Sequence, residues 1–252
     1  MAKKSTRQNR VDTAAAQRKR EQTALLLVVV GVVAIFVVIL LVAVVPAAAP
    51  AALTGGAYSD VPQNTLEGGE PVLGNPDAPV MLVEFSNFSC PGCMQYSAEV
   101  ETMIDRYVRT GRARIAFMPM VFDFGTHPSF IAAQASVCAG RQNGFWDMHH
   151  ALFDLHRTRG PNAFTIDSVR TLADNLGLDA AAVVQCVQRE EMAEVVNSAI
   201  QSAIRWEIRY TPTLLYSLDG GQTLRRFLQP DGTPYESRVP IDTVEALMAQ
   251  YQ

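Results

Sequence analysis

The sequence is poor in the side chains that most often bind metals. Its 252 residues include only four cysteines and four histidines. Cys90 and Cys93 form a C-x-x-C pair, and no second C-x-x-C pair or H-x-x-x-H pair accompanies it. A structural zinc site takes four ligands, commonly from two such pairs. The sequence therefore argues against zinc. It leaves a redox centre, or a small structural disulfide clip, as the interpretations of this pair.

The histidines give little support for another metal site. His149 and His150 are adjacent on a predicted helix and point in different directions. His127 stands before Pro128 in a predicted loop, and His156 is isolated in sequence. We expect all four to be surface or capping residues, with no metal bound.

Charge is absent from one long segment near the start of the chain. Residues 24–45 contain no charged side chain, and as a helix they would span roughly 33 Å, enough for a bilayer core of about 30 Å. Residues 1–23 hold seven basic and two acidic side chains. The positive-inside rule therefore predicts a cytoplasmic N-terminal tail and a single transmembrane helix, with residues 46–252 outside the cell. The membrane orientation accounts for the basic tail, so the tail does not need to be explained by binding to nucleic acid. A cleaved signal peptide is the alternative, and it exports the same residues.

Residues 46–74 are rich in Pro, Gly and Ala and show no apolar periodicity, so they are predicted to be a linker. An exported domain is predicted from residue 75 to residue 252. Its first part has the pattern of a βαβ unit: a buried strand at residues 80–85, a helix from Pro91 to about Thr110, and a second strand at residues 114–119.

The rest of the exported domain alternates between helix and strand patterns. Residues 128–205 are mostly helical in pattern and form a predicted insert. Residues 213–217 and 223–228 flank a turn and predict a hairpin, and residues 241–251 predict a terminal helix. The order is therefore β-α-β, a helical insert, β-β and α, an α/β fold.

These features together resemble the DsbA-like thioredoxin-fold family of disulfide oxidoreductases. The resemblance rests on Cys90-Pro91-Gly92-Cys93 at a strand–helix junction, Glu84 six residues before Cys90, the helical insert, and Thr211-Pro212 before the hairpin. It covers residues ~75–252. One departure is Gly92: strong oxidants of the family often have Pro-His between the cysteines. The missing histidine removes one group that stabilises a thiolate.

The resemblance implies a role for each cysteine of the pair. Cys90 at the first turn of a helix is expected to be the nucleophile, because a helix N-terminus stabilises a thiolate. Cys93 is expected to be the resolving thiol. The pattern alone allows Glu84 to face water from an edge strand. The resemblance implies instead a buried acid that accepts the proton of Cys93.

The resemblance also implies a substrate-binding surface around Pro212. Most X-Pro bonds in folded proteins are trans, whereas the corresponding proline of the family is cis. Backbone groups of Thr211 would then pair with an extended peptide beside Cys90. Pro91 and Gly92 are expected on the same surface.

Cys138 and Cys186 are the remaining cysteines. If Cys90 pairs with Cys93, these two are left for each other, and two buried free thiols are the alternative. Some DsbA-like proteins have a second disulfide in the helical domain and others lack it, so the resemblance allows this pairing.

The sequence thus predicts a membrane-tethered, extracytoplasmic thiol–disulfide oxidoreductase that donates the Cys90–Cys93 disulfide to reduced, unfolded exported proteins. No cofactor is expected, since the cysteines carry the electrons. The resemblance implies re-oxidation by a quinone-linked membrane oxidase of the DsbB or VKOR type. One alternative is a membrane-tethered reductase or isomerase fed by a reducing donor. Another is a non-catalytic peptide-binding module or holdase on the same scaffold.

Overall fold

The computed structural model describes residues 56–251. The predicted tail 1–23, the predicted transmembrane helix 24–45 and the first part of the predicted linker lie outside the described residues. Within residues 56–251, no helix is both long enough and apolar enough to cross a bilayer.

A six-stranded sheet organises the described part of the chain. Its strands are β1 (Gln63–Thr65), β2 (Pro71–Gly74), β3 (Val80–Ser86), β4 (Ala113–Pro119), β5 (Thr213–Ser217) and β6 (Arg225–Arg226). They lie in the order β1-β2-β4-β3-β5-β6. The β3–β4 pair is parallel, as the predicted βαβ unit requires, and the other neighbouring pairs are antiparallel.

The sheet begins earlier in the chain than the sequence predicted. Strands β1 and β2 lie inside residues 46–74, the range that the sequence predicts to be a linker. They are short, and β2 is held by pairing with β4, with Val72 opposite Ala116. Tertiary pairing of this kind overrides weak local propensity. At the other edge, β6 is shorter than the predicted strand at residues 223–228.

Seven helices connect or cover the strands in the described residues. They are α1 (Pro91–Met103), α2 (Pro128–Gly140), α3 (Phe145–Arg159), α4 (Ile166–Asn175), α5 (Ala180–Gln188), α6 (Ala193–Arg205) and α7 (Ile241–Met248). A π-helical turn, Ile104–Val108, extends α1, and the chain then turns at Gly111, whose φ of 74° suits glycine. Helices α2 to α6 fall within residues 128–205, the range predicted for the insert.

The two faces of β3 pack against different helices. All seven residues of β3 are buried. Its even-numbered apolar side chains, such as Leu82, join the cluster that contains Val100 of α1. Its odd-numbered side chains, such as Val83, join a cluster that contains Ala199 of α6. Because side chains alternate along a strand, Glu84 and Ser86 lie on the α1 face.

Candidate active site

The predicted redox pair lies where β3 passes into α1. Asn87 shapes the intervening turn: its side-chain Oδ1 accepts a hydrogen bond from the Ser89 N–H at 2.8 Å, and its carbonyl oxygen accepts one from the Cys90 N–H at 3.0 Å. Cys90 is the N-cap residue of α1, and Pro91 occupies the first turn, where its missing N–H costs no hydrogen bond. The local sequence therefore places Cys90 at the positive end of the helix dipole.

Cys90 is partly exposed and its thiol is acidic. The Cys90 Sγ lies 3.4 Å from the carbonyl oxygen of Thr211, to which the thiol donates. The pKa of Cys90 is lowered from 9.0 to about 5, chiefly by a hydrogen bond from the Cys93 thiol. Backbone N–H groups of Cys93 and Gly92 add to this effect, while partial burial opposes it. The lowered pKa favours the Cys90 thiolate at neutral pH, and the hydrogen bond to Thr211 belongs to the protonated thiol.

Cys93 has the opposite environment. It is fully buried, and its Sγ accepts a hydrogen bond from the Asn87 N–H at 3.4 Å. Burial raises the pKa of Cys93, and the hydrogen bond that its thiol gives to Cys90 raises it further. Both cysteines are free, so the structure has the reduced pair, with one partly exposed, acidic thiol and one buried thiol.

Glu84 lies in the core beneath this pair. Glu84 is only 1% exposed, so the alternative in which it faces water from an edge strand is wrong. Glu84 sits on the central strand β3, between Phe117 of β4 and Leu214 of β5. Burial raises its pKa from 4.5 to about 7; the Ser86 hydroxyl opposes the rise and the charge of Glu101 adds to it. Neither carboxylate oxygen has a hydrogen-bond partner. The group can therefore exchange a proton near neutral pH.

The Thr211–Pro212 segment lies directly beside Cys90. Its peptide bond is cis. A Cβ placed on Gly92 would lie 3.5 Å from Pro212 Cδ and 3.9 Å from the Thr211 carbonyl oxygen, so Gly92 faces this segment at close range. The Ser237 hydroxyl donates to the Pro212 carbonyl at 3.1 Å. The structure thus places Thr211, Pro212 and Gly92 around the Cys90 sulfur.

The sequence gives no role in this site to two side chains that hold it in place. The Tyr96 hydroxyl on α1 donates to the Val239 carbonyl at 2.9 Å. His156 Nδ1 lies 2.7 Å from the Phe88 carbonyl, and the pair is buried. His156 therefore ties the turn before Cys90 to the helical insert. Neither contact leaves a local sequence signal, because the partner in each case is a distant backbone carbonyl.

The histidine predictions need one correction. His127 caps α2, with its Nδ1 accepting from the Ser129 N–H. His149 and His156, however, are buried rather than on the surface. His149 is surrounded by aromatic rings, among them Phe117 at 4.8 Å between ring centroids, and burial lowers its pKa to about 4. A neutral histidine of this kind serves as an aromatic core residue.

The other two cysteines are bonded to each other. The Cys138–Cys186 disulfide joins α2 to α5 across 48 residues of sequence. Both residues are buried, so this cross-link belongs to the interior of the insert. Among the described residues, no cluster of three or more His, Cys, Asp or Glu side chains has the arrangement of a metal site.

Comparison with known proteins is consistent with this site. The family model described as thioredoxin matches residues 66–220. Disulfide bond formation protein D of Bacillus subtilis is 31% identical over 87 residues, which make up 34% of this chain and 39% of that protein. The Na(+)/H(+) antiporter NhaA 3 of Salinispora tropica is 30% identical over 135 residues, which make up 49% of this chain and 20% of the antiporter. The chain thus spans well under half the length of these curated relatives.

Solved structures give the same fold. The oxidised form of BdbD from Bacillus subtilis has a TM-score of 0.58 at 22% identity, covering 74% of this chain and 95% of that one. DsbA of Chlamydia trachomatis has a TM-score of 0.57 at 22% identity, covering 74% and 93%. The chain belongs to the thioredoxin family, and it has the fold of the BdbD and DsbA structures.

Proposed function

We propose that the protein is an extracytoplasmic oxidase that donates the Cys90–Cys93 disulfide to exported proteins. The observation that carries this proposal is the asymmetry of the pair: an exposed thiol with a pKa of about 5 beside a buried thiol whose pKa is raised. Stabilising the Cys90 thiolate stabilises the reduced form, which makes the disulfide form the stronger oxidant.

The reaction then follows from where each sulfur lies. A substrate thiolate attacks the exposed Cys90 sulfur of the disulfide, forming a mixed disulfide and releasing Cys93 as a thiolate, which takes up a proton. A second substrate thiolate attacks the substrate sulfur of that mixed disulfide, and Cys90 leaves as a thiolate. The substrate loses two electrons and gains a disulfide, and the pair gains the same two electrons. Cys90 is the better leaving group because its pKa is low.

Glu84 serves the buried thiol in this scheme. Because the pKa of Cys93 is raised, its sulfur must gain or lose a proton whenever the pair changes state. A neutral Glu84 supplies that proton as the disulfide opens, and an ionised Glu84 takes it back as the disulfide re-forms. A pKa of about 7 allows both at neutral pH.

The substrate would lie across the surface formed by Thr211, Pro212, Pro91 and Gly92. The Thr211 carbonyl already accepts a hydrogen bond from the Cys90 thiol, so a backbone N–H of an extended peptide in its place would lie next to the reactive sulfur. Recognition through backbone groups would suit unfolded proteins of any sequence.

The rest of the proposal concerns the membrane. Residues 24–45 would anchor the protein, with residues 1–23 cytoplasmic and the catalytic domain outside. A quinone-linked oxidase of the DsbB or VKOR type would return the pair to the disulfide. A membrane-tethered reductase or isomerase fed by a reducing donor is the alternative direction, since the same site chemistry runs both ways.

The reduction potential of the Cys90–Cys93 couple tests the direction. We expect a value toward about −120 mV when the full-length protein is equilibrated with glutathione buffers. A value near about −270 mV would refute the oxidase proposal and favour the reductase. Cys90→Ser should abolish turnover with a reduced substrate protein. Full activity of that variant would indicate a non-catalytic peptide-binding module or holdase instead.

A further inference from the structure

We propose that the Ser86 hydroxyl is a proton relay between the Cys93 thiol and the Glu84 carboxyl group. The inference rests on the proposed function, because it assigns a path for the proton that Cys93 must exchange. It starts from a missing contact: Glu84 has the right acidity for this exchange, but its carboxyl group does not contact the Cys93 thiol.

The missing contact is evident from the hydrogen bonds of each group. Neither oxygen of Glu84 has a hydrogen-bond partner, so neither is bonded to the Cys93 sulfur. Cys93 Sγ lies instead 3.4 Å from the backbone nitrogen of Asn87, three residues further along the chain than Glu84. A proton passing between Glu84 and Cys93 therefore needs an intermediate group.

The Ser86 side chain neighbours both groups. It is two residues after Glu84 on β3, so both side chains lie on the α1 face, roughly 7 Å apart along the strand. It immediately precedes Asn87, whose N–H contacts the Cys93 sulfur. Ser86 is fully buried, and no group meets its hydroxyl at full hydrogen-bond geometry in the reduced protein, although the hydroxyl is near enough to Glu84 and Cys93 to lower the pKa of each. A buried hydroxyl without a well-formed hydrogen bond is costly, which favours a functional role here.

The other groups around Glu84 are poorer intermediates. Tyr96 on α1 is committed to the Val239 carbonyl, and burial raises its pKa. Glu101 on α1 influences Glu84 only through its charge. The neighbours on β4 and β5, Phe117 and Leu214, are apolar. The Ser86 hydroxyl, by contrast, is close enough to lower the pKa of both Glu84 and Cys93.

The relay conserves protons in both directions. When Cys93 is to attack the mixed disulfide, its S–H proton passes to the Ser86 oxygen while the Ser86 O–H proton passes to the Glu84 carboxylate. Cys93 becomes a thiolate, Ser86 stays neutral and Glu84 becomes neutral. When the disulfide opens and Cys93 leaves, the same transfers run in reverse. A hydroxyl both donates and accepts, which the relay requires.

Two-phase kinetics of the reduced full-length protein with a chromogenic aryl disulfide test this path. The first coloured thiolate is released when Cys90 attacks, and the second when Cys93 resolves the mixed disulfide. In Ser86→Ala we expect the first phase to keep its rate and the second to slow by about a hundredfold at neutral pH, the lower end of general acid–base effects. Ser86→Thr keeps the hydroxyl and should restore the second phase. Ser136→Ala removes a buried hydroxyl on α2 that donates to the Ala133 carbonyl, and it should change neither phase.

Two further readouts separate a relay from a packing role. Because Ser86 and Glu84 act in series, the Glu84→Gln, Ser86→Ala double variant should be no slower than the slower single variant. The second-phase rate of the wild type should rise through an inflection near pH 7, and that inflection should be absent in Ser86→Ala. If the alanine variant is unstable, Ser86→Val lacks the hydroxyl but has the shape of the threonine variant, suits a strand and carries the same expectations.

The proposal is overturned if Ser86→Ala resolves the mixed disulfide as fast as the wild type. It is also overturned if the two losses multiply in the double variant, or if the threonine variant is as slow as the alanine variant. These outcomes leave the proposed function standing, because the wild type still shows both phases. A wild type without a second phase would instead refute the proposed function together with the relay.

Discussion

Burial of Glu84 should make the stability of the protein depend on pH in a direction opposite to that of most carboxylates. The pKa of Glu84 is raised from 4.5 to about 7 because the side chain is buried on β3 without a hydrogen-bond partner. Below pH 4.5 the group is neutral in the folded and the unfolded chain, so burial carries no charge penalty. As pH rises from 4.5 toward 7, only the unfolded chain ionises freely, and folding becomes less favourable.

The size of the effect follows from the two pKa values. One pKa unit corresponds to about 1.4 kcal/mol, so the difference between 4.5 and about 7 amounts to about 3 kcal/mol of unfolding free energy. This loss is complete above the folded-state pKa. Glu84→Gln cannot ionise, so it should be more stable than the wild type at pH 8 by about 3 kcal/mol relative to the same comparison at pH 4. The change from carboxyl to amide also shifts the unfolding free energy by an amount that does not depend on pH.

Urea unfolding of the full-length protein between pH 4 and pH 8, with the Cys90–Cys93 pair held reduced, measures this difference. Glu67→Gln makes the same chemical change at an exposed position and should follow the wild type at every pH. If Glu84→Gln and the wild type show parallel stability curves across the range, Glu84 titrates alike in the folded and unfolded chain. The reasoning from its burial would then be refuted.

Three other changes probe the site and its support. Cys93→Ala should raise the pKa of Cys90, read from thiolate absorbance, because the largest lowering effect is the hydrogen bond from Cys93; an unchanged titration would contradict this. Replacing Cys138 and Cys186 by alanine should cost about 4 kcal/mol of unfolding free energy for a 48-residue loop; a loss under about 1 kcal/mol would contradict the chain-entropy account. Tyr96→Phe should lose about 1 kcal/mol in urea unfolding, and no loss would indicate that water replaces its hydroxyl.

The sequence predicts the strand and helices that position the cysteine pair better than it predicts the edge of the sheet. The strand ending at Ser86, the helix starting at Pro91 and the helices of the insert follow from apolar runs, a proline at a helix start and helical periodicity. Each of these patterns lies within the segment that it predicts, so the prediction does not depend on distant parts of the chain. Strands β1 and β2 have no such signal, because β2 is held by distant β4, with Val72 opposite Ala116, and β1 in turn pairs with β2.

Burial of polar groups is the part that the sequence leaves open. A strand that is buried on both faces shows no alternation, so the pattern around Glu84 is compatible with water on one side. The same holds for Ser86. For His149, helical spacing places Trp146 and Phe153 beside it, but its contact with Phe117 of β4 has no local signal. The burial of Glu84 and Ser86 is settled by packing against α1, and that of His149 by packing of α3 against the sheet.

The buried Glu84 and the Cys138–Cys186 disulfide both contribute to the total unfolding free energy of the domain, with opposite signs. At neutral pH, ionisation of Glu84 lowers the unfolding free energy by about 3 kcal/mol, while the Cys138–Cys186 cross-link adds about 4 kcal/mol. The two sites lie in different elements, β3 on one side and α2 and α5 on the other, so their effects should add. Most domains have only about 5–15 kcal/mol in total. Loss of the cross-link should therefore be tolerated better at pH 5 than at pH 8, and Glu84→Gln should narrow that difference. The cross-link in the helical insert thereby offsets the unfolding free energy that is lost by burying an ionisable Glu84 in the sheet.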